Sequence, residues 1–382
     1  MRLRTHGTFP ASGTRPPAPG GSAAGGVMMS VAELDATKQE AFAGRMVQVL
    51  NDSCLGLMAG LGHESGLFDV MAGLQPSTSE QIAQAAGLDE RYVREWLGAM
   101  VTGAIVDYDP AHATYALPPE HAASLTRAAG PDNLARIAQD LSMLAEVEQQ
   151  VLKAFHTGEG VPYSAYPRFQ AIQAEESKEV YDLALVAGIV PLVPGLEDRL
   201  REGIDVLDVG TGQGHAVNVL AKAYPASRFR GLDKSEEGIA AAQAEAAEQD
   251  LSNAAFEVGD SAELTGPYDL ITAFDVIHDL AQPTRTLAAI AGALRDDGVF
   301  LMGDIAASSH LEENMEHPLC PALYAFSVFY CMSVSLGEGG EGLGTVWGEQ
   351  TARQMLTDAG FGHVDVQRVE GDILNVYYAA RR

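Results

Sequence analysis

Apolar positions in the first third of the chain recur every three to four residues, the period of a helix. Between Val31 and about Leu61, Met46, Val47, Leu50, Leu55 and Leu57 follow that spacing, and GLFDVMAGL repeats it in a second, shorter run. Ser77 and Glu80 stand at capping-box spacing ahead of SEQIAQAAGL, and Asp89 opens a further helix in DERYVREWLGAMVTGAI. VDYDPAHATYALPP then reads as two short strands. From about Ala129 to Arg201 helical patterns alternate with Gly/Pro breaks such as TGEGVPYSAYPRF. Beyond Gly203 the period changes: IDVLDVG, FRGLDKS, AAFEVGD, YDLITAFDVIHD and GVFLMGDI are short apolar runs separated by helical stretches. WGEQTARQMLTDAGF is one more helix, and HVDVQRVEG and ILNVYYAA close the pattern as strands.

Two architectures follow. Helix, turn, helix and hairpin in that order predict a winged helix over residues 31–128. Strands alternating with crossover helices predict an α/β domain over residues 202–382, with a parallel sheet covered on both faces and residues 129–201 as a helical connector.

Charge narrows the function. The chain has 24 Lys+Arg against 52 Asp+Glu, a formal charge of −28, which argues against a partner held through phosphates. The second winged-helix helix carries Arg91 and Arg94 but also Asp89, Glu90 and Glu95, so its expected role is dimerisation rather than nucleic-acid binding. The first 30 residues hold three arginines and no acid, and the first acidic residue is Glu33. They are expected to be a disordered tail, with Met28 and Met29 as alternative starts. No apolar core of a secretory signal is present there. Cys54, Cys320 and Cys331 form no disulfide or zinc pattern, which fits a reducing cytoplasm. His317 to Gly337 is a run of 21 uncharged residues, long enough to span a bilayer. Because it lies between two predicted strands of one sheet, it is expected to be a buried or pocket-lining helix, not a membrane segment.

The chemistry concentrates at strand ends. Gly210, Gly212 and Gly214 follow the first strand, where doubly wound sheets bind nucleotides, and allow positive φ and close approach of a ligand to backbone. The dinucleotide fingerprint fails because His215 occupies its last glycine position. Asp208, two residues before the first glycine, suits a cationic ligand better than a pyrophosphate. Asp233 ends the second strand 19 residues past Gly214, where a carboxylate can accept both ribose hydroxyls. Gly259, Asp260 and Ser261 end the third strand.

VLDVGTGQG, GLDKS, EVGDSAEL, FDVIHDL and LRDDGVFLMGDI resemble, in order and spacing, the motifs of class I S-adenosylmethionine-dependent methyltransferases, and the winged helix resembles the dimerisation module of small-molecule O-methyltransferases. YSAYPRF, CMSVSL and GLGTVWGEQ are similar to an uncharacterised group of such enzymes. The resemblance implies a Rossmann-like seven-stranded methyltransferase sheet, S-adenosyl-L-methionine as cofactor, a small-molecule acceptor and a homodimer. It places Asp208 and the three glycines around the methionine end, Asp233 with neighbouring Lys234 at the ribose, Gly259, Asp260 and Ser261 at adenine, and Phe274 with Asp275 on the fourth-strand wall. His278 falls where phenol O-methyltransferases carry a His-Asp pair; it is either the general base or part of the cofactor wall, and Leu280 replaces the family's tryptophan.

Aromatic residues suggest an apolar or aromatic acceptor: Tyr166 and Phe169 with Tyr163 in the connector, and Tyr324 and Tyr330 in the uncharged run. Ordinary packing explains the same residues. His310, Glu312, Glu313 and His317 match no zinc spacing and read as a solvated helix start. Two other functions stay open: an NAD-type oxidoreductase on the same topology, and a winged-helix regulator that senses a ligand without catalysis.

Overall fold

The computed structural model describes residues 34–382, so the predicted tail over residues 1–30 lies outside the described residues. The chain divides into two compact units at Leu50. The first is described from Leu34 and is helical from Ala36, where α1 begins; Phe42, Val47 and Leu50 are exposed along it.

The second unit, Asn51–Arg382, starts with the remainder of α1, which ends at Glu64. α2 (Leu67–Ala72), α3 (Ser79–Ala86), α4 (Glu90–Thr102) and the antiparallel pair β1 (Asp107–Asp109) and β2 (Thr114–Ala116) complete the winged helix. Its core is Phe68, Ile82, Val93, Trp96, Leu97 and Met100. The capping box of α3 is shifted by one residue from the expected Ser77/Glu80. Thr78 Oγ1 accepts from the Gln81 amide, and Gln81 Oε1 accepts from the Thr78 amide at 2.9 Å. Ser77 is unavailable because its backbone bridges Tyr115 of the wing, with N–H···O distances of 3.0 and 2.8 Å. On α4 both arginines are tied along their own helix, Arg91 to Glu95 and Arg94 to Glu90.

The connector comprises α5 (Pro119–Ala122), α6 (Leu134–Ile137), α7 (Gln139–Glu146), α8 (Glu148–Thr157) and α9 (Phe169–Val180). α9 runs on into a π-helical stretch, Tyr181–Ile189, before α10 (Leu196–Glu202). The sheet domain then alternates β3 (Asp205–Val209), α11 (His215–Ala223), β4 (Arg228–Asp233), α12 (Glu236–Glu248), β5 (Ala254–Val258), β6 (Tyr268–Phe274), α13 (Pro283–Ala293) and β7 (Leu294–Ile305). α14 (Cys320–Phe326), a π turn and α15 (Met332–Gly337) follow, then α16 (Gly348–Asp358), β8 (His363–Gln367) and β9 (Asn375–Arg381).

The seven strands are ordered β5-β4-β3-β6-β7-β9-β8. β3 to β7 are mutually parallel, and β9 runs antiparallel to both β7 and β8. Val206, Leu207, Val209, Leu270 and Ile271 are buried, as a parallel sheet covered on both faces requires. β3 pairs with β4 on one side and β6 on the other, so the chain reverses its direction of winding there. A crevice opens beyond the carboxyl ends of those strands. Cys320–Gly337 is long and apolar enough to cross a membrane by length and composition, and 39% of it is buried. Its buried residues include Leu323, Tyr330, Cys331 and Val334.

Candidate functional site

The glycine turn after β3 has the predicted backbone: Gly210, Gly212 and Gly214 have φ of 69°, 53° and 75°. A Cβ at Gly210 would lie 2.5 Å from the Val276 side chain, and one at Gly214 would run into Ala242 and Phe256. At Gly212 the space is open except for Gln170 Oε1 at 3.7 Å. The outer two glycines are therefore required by packing, and the middle one leaves its backbone accessible.

Asp233 ends β4 and anchors this turn. Its Oδ2 accepts from the Gly212 amide at 2.8 Å and its Oδ1 from the Ser235 amide at 2.8 Å. Lys234 points elsewhere: its Nζ bonds Glu338 at 2.7 and 2.8 Å and stands 4.8 Å from the centroid of the Tyr163 ring. Asp208 is buried and accepts from Thr272 Oγ1 at 2.6 Å. Burial pushes its carboxyl up to about 6. Beyond β5, Asp260 Oδ1 accepts from the Ala262 amide at 2.8 Å, and Ser261 Oγ meets Thr286 Oγ1 at 3.1 Å. Gly259 is tied by its amide to the Asp233 carbonyl at 2.9 Å.

Beyond β6 lies the most unusual backbone of the site. Asp275 has φ of 55°, uncommon for a residue with a side chain. Its surface is open to solvent while protein surrounds it, so its carboxyl stands in a cleft. Burial, then Asp304, pushes it up to about 7, and Asp279 is pushed up to about 6 mainly by burial. Phe274 packs against Tyr181 with ring centroids 5.7 Å apart. Four strands thus bring Asp208, Asp233, Asp260 and Asp275 to one edge of the sheet.

His278 is buried in the short turn Ile277–Asp279, with Nδ1 2.8 Å from Asp304 Oδ1. Asp304 ends β7, is fully buried, and also accepts from Trp347 Nε1 at 3.0 Å and the Ile305 amide at 2.8 Å. Its Oδ2 has no partner. Burial by itself lowers the basicity of His278, but the Asp304 carboxylate, with the Cys331 thiol beside the ring, raises its pKa well above the usual histidine value. Asp304 and Trp347 were not singled out by the sequence reading. The available signal was that GVFLMGDI ends in an acid, as the other parallel strands do.

The aromatic residues separate. Phe169 stacks on Tyr330 at 4.0 Å, and Tyr166 meets Tyr330 edge-on at 4.9 Å while its hydroxyl donates to the Phe329 carbonyl. Tyr166 and Tyr330 are buried, whereas Tyr324 is exposed and outside this cluster. Tyr163 reaches over the glycine turn: Gln170 Nε2 donates to its hydroxyl at 2.6 Å, and the Gln170 carbonyl accepts from Gln213 Nε2 at 3.2 Å. Among the described residues no group of three or more His, Cys, Asp or Glu is placed to hold a metal ion.

Comparison with known proteins decides the family. Residues 200–360 match the model of a methyltransferase domain, and residues 53–127 match the Rv2258c-like winged HTH domain. The chain has a methyltransferase domain behind a winged helix-turn-helix domain. The methyltransferase domain is 34% identical over 115 residues to trans-aconitate 2-methyltransferase of Deinococcus radiodurans, covering 30% of this chain and 43% of that protein. The chain therefore spans under half the length of this curated relative. In fold, the chain is similar to mitomycin 7-O-methyltransferase (TM-score 0.65, 17% identity, 91% of this chain and 100% of that one). It is also similar to human N-acetylserotonin methyltransferase in complex with S-adenosylmethionine (TM-score 0.64, 17% identity, 92% and 99%). The names of these relatives cover unlike acceptors, so they fix the fold and domain but not the substrate.

Proposed function

We propose that this protein transfers a methyl group from S-adenosyl-L-methionine to an oxygen of a small, partly apolar or aromatic acceptor. The observation that carries the reading is the set of strand-terminal carboxyls around an open glycine turn. Gly212 leaves a backbone cradle free, and Asp208, Asp275 and Asp279 are crowded carboxyls with raised pKa that a neighbouring cation would help ionise. A sulfonium cofactor supplies both that positive charge and an electrophilic methyl carbon. Asp233 and the Gly212 backbone are suited to the ribose, Asp208 and Asp275 to the cationic end, and Asp260 with Ser261 to adenine.

The protein's own contribution is chiefly to hold the acceptor in line and exclude water. Phe169 and Tyr330 offer a stacked aromatic wall, and Cys331, next to Tyr330, is beside the His278 ring. His278 takes the acceptor's proton on Nε2, and Asp304 fixes the ring through Nδ1. Because His278 is held protonated well above the ordinary histidine pKa, it accepts a proton readily only at alkaline pH or once the acceptor is bound. We place the protein in the cytoplasm as a homodimer, the exposed Phe42, Val47 and Leu50 of α1 being the apolar stripe a second copy would cover. Sedimentation of Phe42→Glu/Leu50→Glu beside wild type tests that association; a wild-type monomer rules it out.

Calorimetric titration with S-adenosylhomocysteine tests the central reading. Binding by wild type that is lost in Asp233→Ala is expected, and a wild-type protein that binds neither S-adenosylhomocysteine nor S-adenosylmethionine overturns it.

A further inference from the structure

One cluster of buried polar groups lies outside the cofactor cradle. Asp140 on α7, Glu176 on α9 and Arg136 on α6 converge. Asp140 and Arg136 are 2% and 4% exposed, and three atoms there, Asp140 Oδ1, Glu176 Oε1 and Arg136 Nε, are buried with no hydrogen-bond partner. Three orphaned polar atoms at one point are unusual in a folded protein and indicate a missing polar partner.

The groups around them are matched. Glu179 takes Arg136 Nη1 at 2.6 Å, and Glu175 takes His63 Nε2 at 3.0 Å and Gln139 Nε2 at 3.2 Å. Arg136 Nε is still 4.0 Å from Glu176 Oε1. Burial and the facing carboxyl raise the pKa of Asp140, and burial raises that of Glu176, so near neutrality they hold one proton between them. With Arg136 offset by Glu179, the cluster keeps one uncompensated negative charge.

Its neighbours place it beside the acceptor wall. Met143 and Leu144, one turn along α7 from Asp140, belong to the same packed cluster as Tyr330 and Cys331. Phe169, which stacks on Tyr330, and Glu176 are seven residues apart on α9 and share a helix face. The Glu176 charge is felt at Asp275 in the cleft, and Glu176 keeps 21% of its side chain accessible.

We propose that Asp140 and Glu176, backed by Arg136, recognise a protonated amine on the acceptor, distinct from the oxygen that is methylated. An ammonium presents three donors and no acceptor, which matches orphaned carboxyl oxygens and the residual negative charge. A carboxylate acceptor would face both acids to reach an arginine already engaged by Glu179. This assignment rests on the methyltransferase reading for the site's purpose.

The test uses the full chain saturated with S-adenosylhomocysteine and matched aromatic probes: 4-(2-aminoethyl)phenol, 4-ethylphenol and 3-(4-hydroxyphenyl)propanoic acid, titrated by ligand-observed NMR. The amine is expected to bind at least about tenfold more tightly than the other two, and Asp140→Asn/Glu176→Gln is expected to abolish that preference while leaving S-adenosylhomocysteine affinity unchanged. No amine binding, equal binding of the three, preference for the acid, or a preference that survives in the variant overturns the proposal. Titrating S-adenosylhomocysteine alone separates the two readings: failure there sinks the methyltransferase, whereas amine recognition is judged on the probes. Should the double variant misfold, Glu176→Gln alone, checked by its S-adenosylhomocysteine affinity, gives the same decision.

Discussion

The cofactor end of the cleft and the acceptor end are built in opposite ways. At the cofactor end every functional group lies at the carboxyl terminus of a parallel strand, within a few residues of its neighbours in sequence, and the glycine backbone does the shaping. At the acceptor end the groups come from α6, α7, α9, the segment after α14 and the loop before α16, and side chains do the shaping. Asp304 and His278 are 26 residues apart, and Asp304 and Trp347 are 43 apart. A strand-end site tolerates little change in its backbone. A site of helix side chains can be refitted to a new acceptor without disturbing the sheet.

Substitutions that break this contrast are ranked by expected effect. Gly214→Ala, where a side chain meets Ala242 and Phe256 at positive φ, is expected to abolish folding or cofactor binding, read by circular dichroism and calorimetry. His278→Ala should cost about 10²- to 10⁴-fold in methyl-transfer rate with S-adenosylhomocysteine affinity intact; an unchanged rate at saturating cofactor removes it as the base.

Asp304→Asn should shift the pH–rate profile toward acid, because the carboxylate that raises the His278 pKa is gone. The same pair predicts a stability change. The folded-state pKa of His278 exceeds its unfolded value, so its contribution is full below the ordinary histidine value and disappears as pH rises through the raised one. Denaturation midpoints of wild type and Asp304→Asn should therefore converge at alkaline pH.

A smaller effect separates charge from shape at the cofactor end. Asp208, Asp275 and Asp279 titrate at about 6, 7 and 6, so raising pH through that range ionises them. Affinity for the cationic S-adenosylmethionine should increase there more than affinity for uncharged-sulfur S-adenosylhomocysteine, measured side by side by calorimetry; parallel curves would show that the acids do not face the sulfonium. Smallest of all, Tyr166→Phe removes the hydrogen bond to the Phe329 carbonyl and is expected to cost about 1 kcal/mol of stability, seen as a modest fall in Tm.

The same contrast explains what could be read from the sequence. The alternation of strands and helices, the glycine turn and its acids are local patterns, because a parallel strand must end in a turn that the next few residues specify. The capping box was misplaced by one residue because the competing bond, Ser77 to Tyr115, spans 38 positions. Asp304, Trp347 and the Asp140–Glu176 pair carry no local signature: an acid in a helix reads as solvent-facing until the fold shows what covers it. Among the aromatic residues expected in one pocket, composition could not distinguish Tyr330, which is buried, from Tyr324, which is exposed.

α9 touches both halves of the cleft. Gln170 lies on the glycine turn, and Phe169 and Glu176 line the other side. At its far end the chain continues into the π-helical stretch, whose first residue, Tyr181, packs on Phe274. A rigid rod that meets both ligands makes their binding energies interdependent, since any roll of the helix that improves one contact moves the other. Occupancy by one ligand should therefore alter the dissociation rate of the other, and the order in which they arrive becomes a property of a single helix.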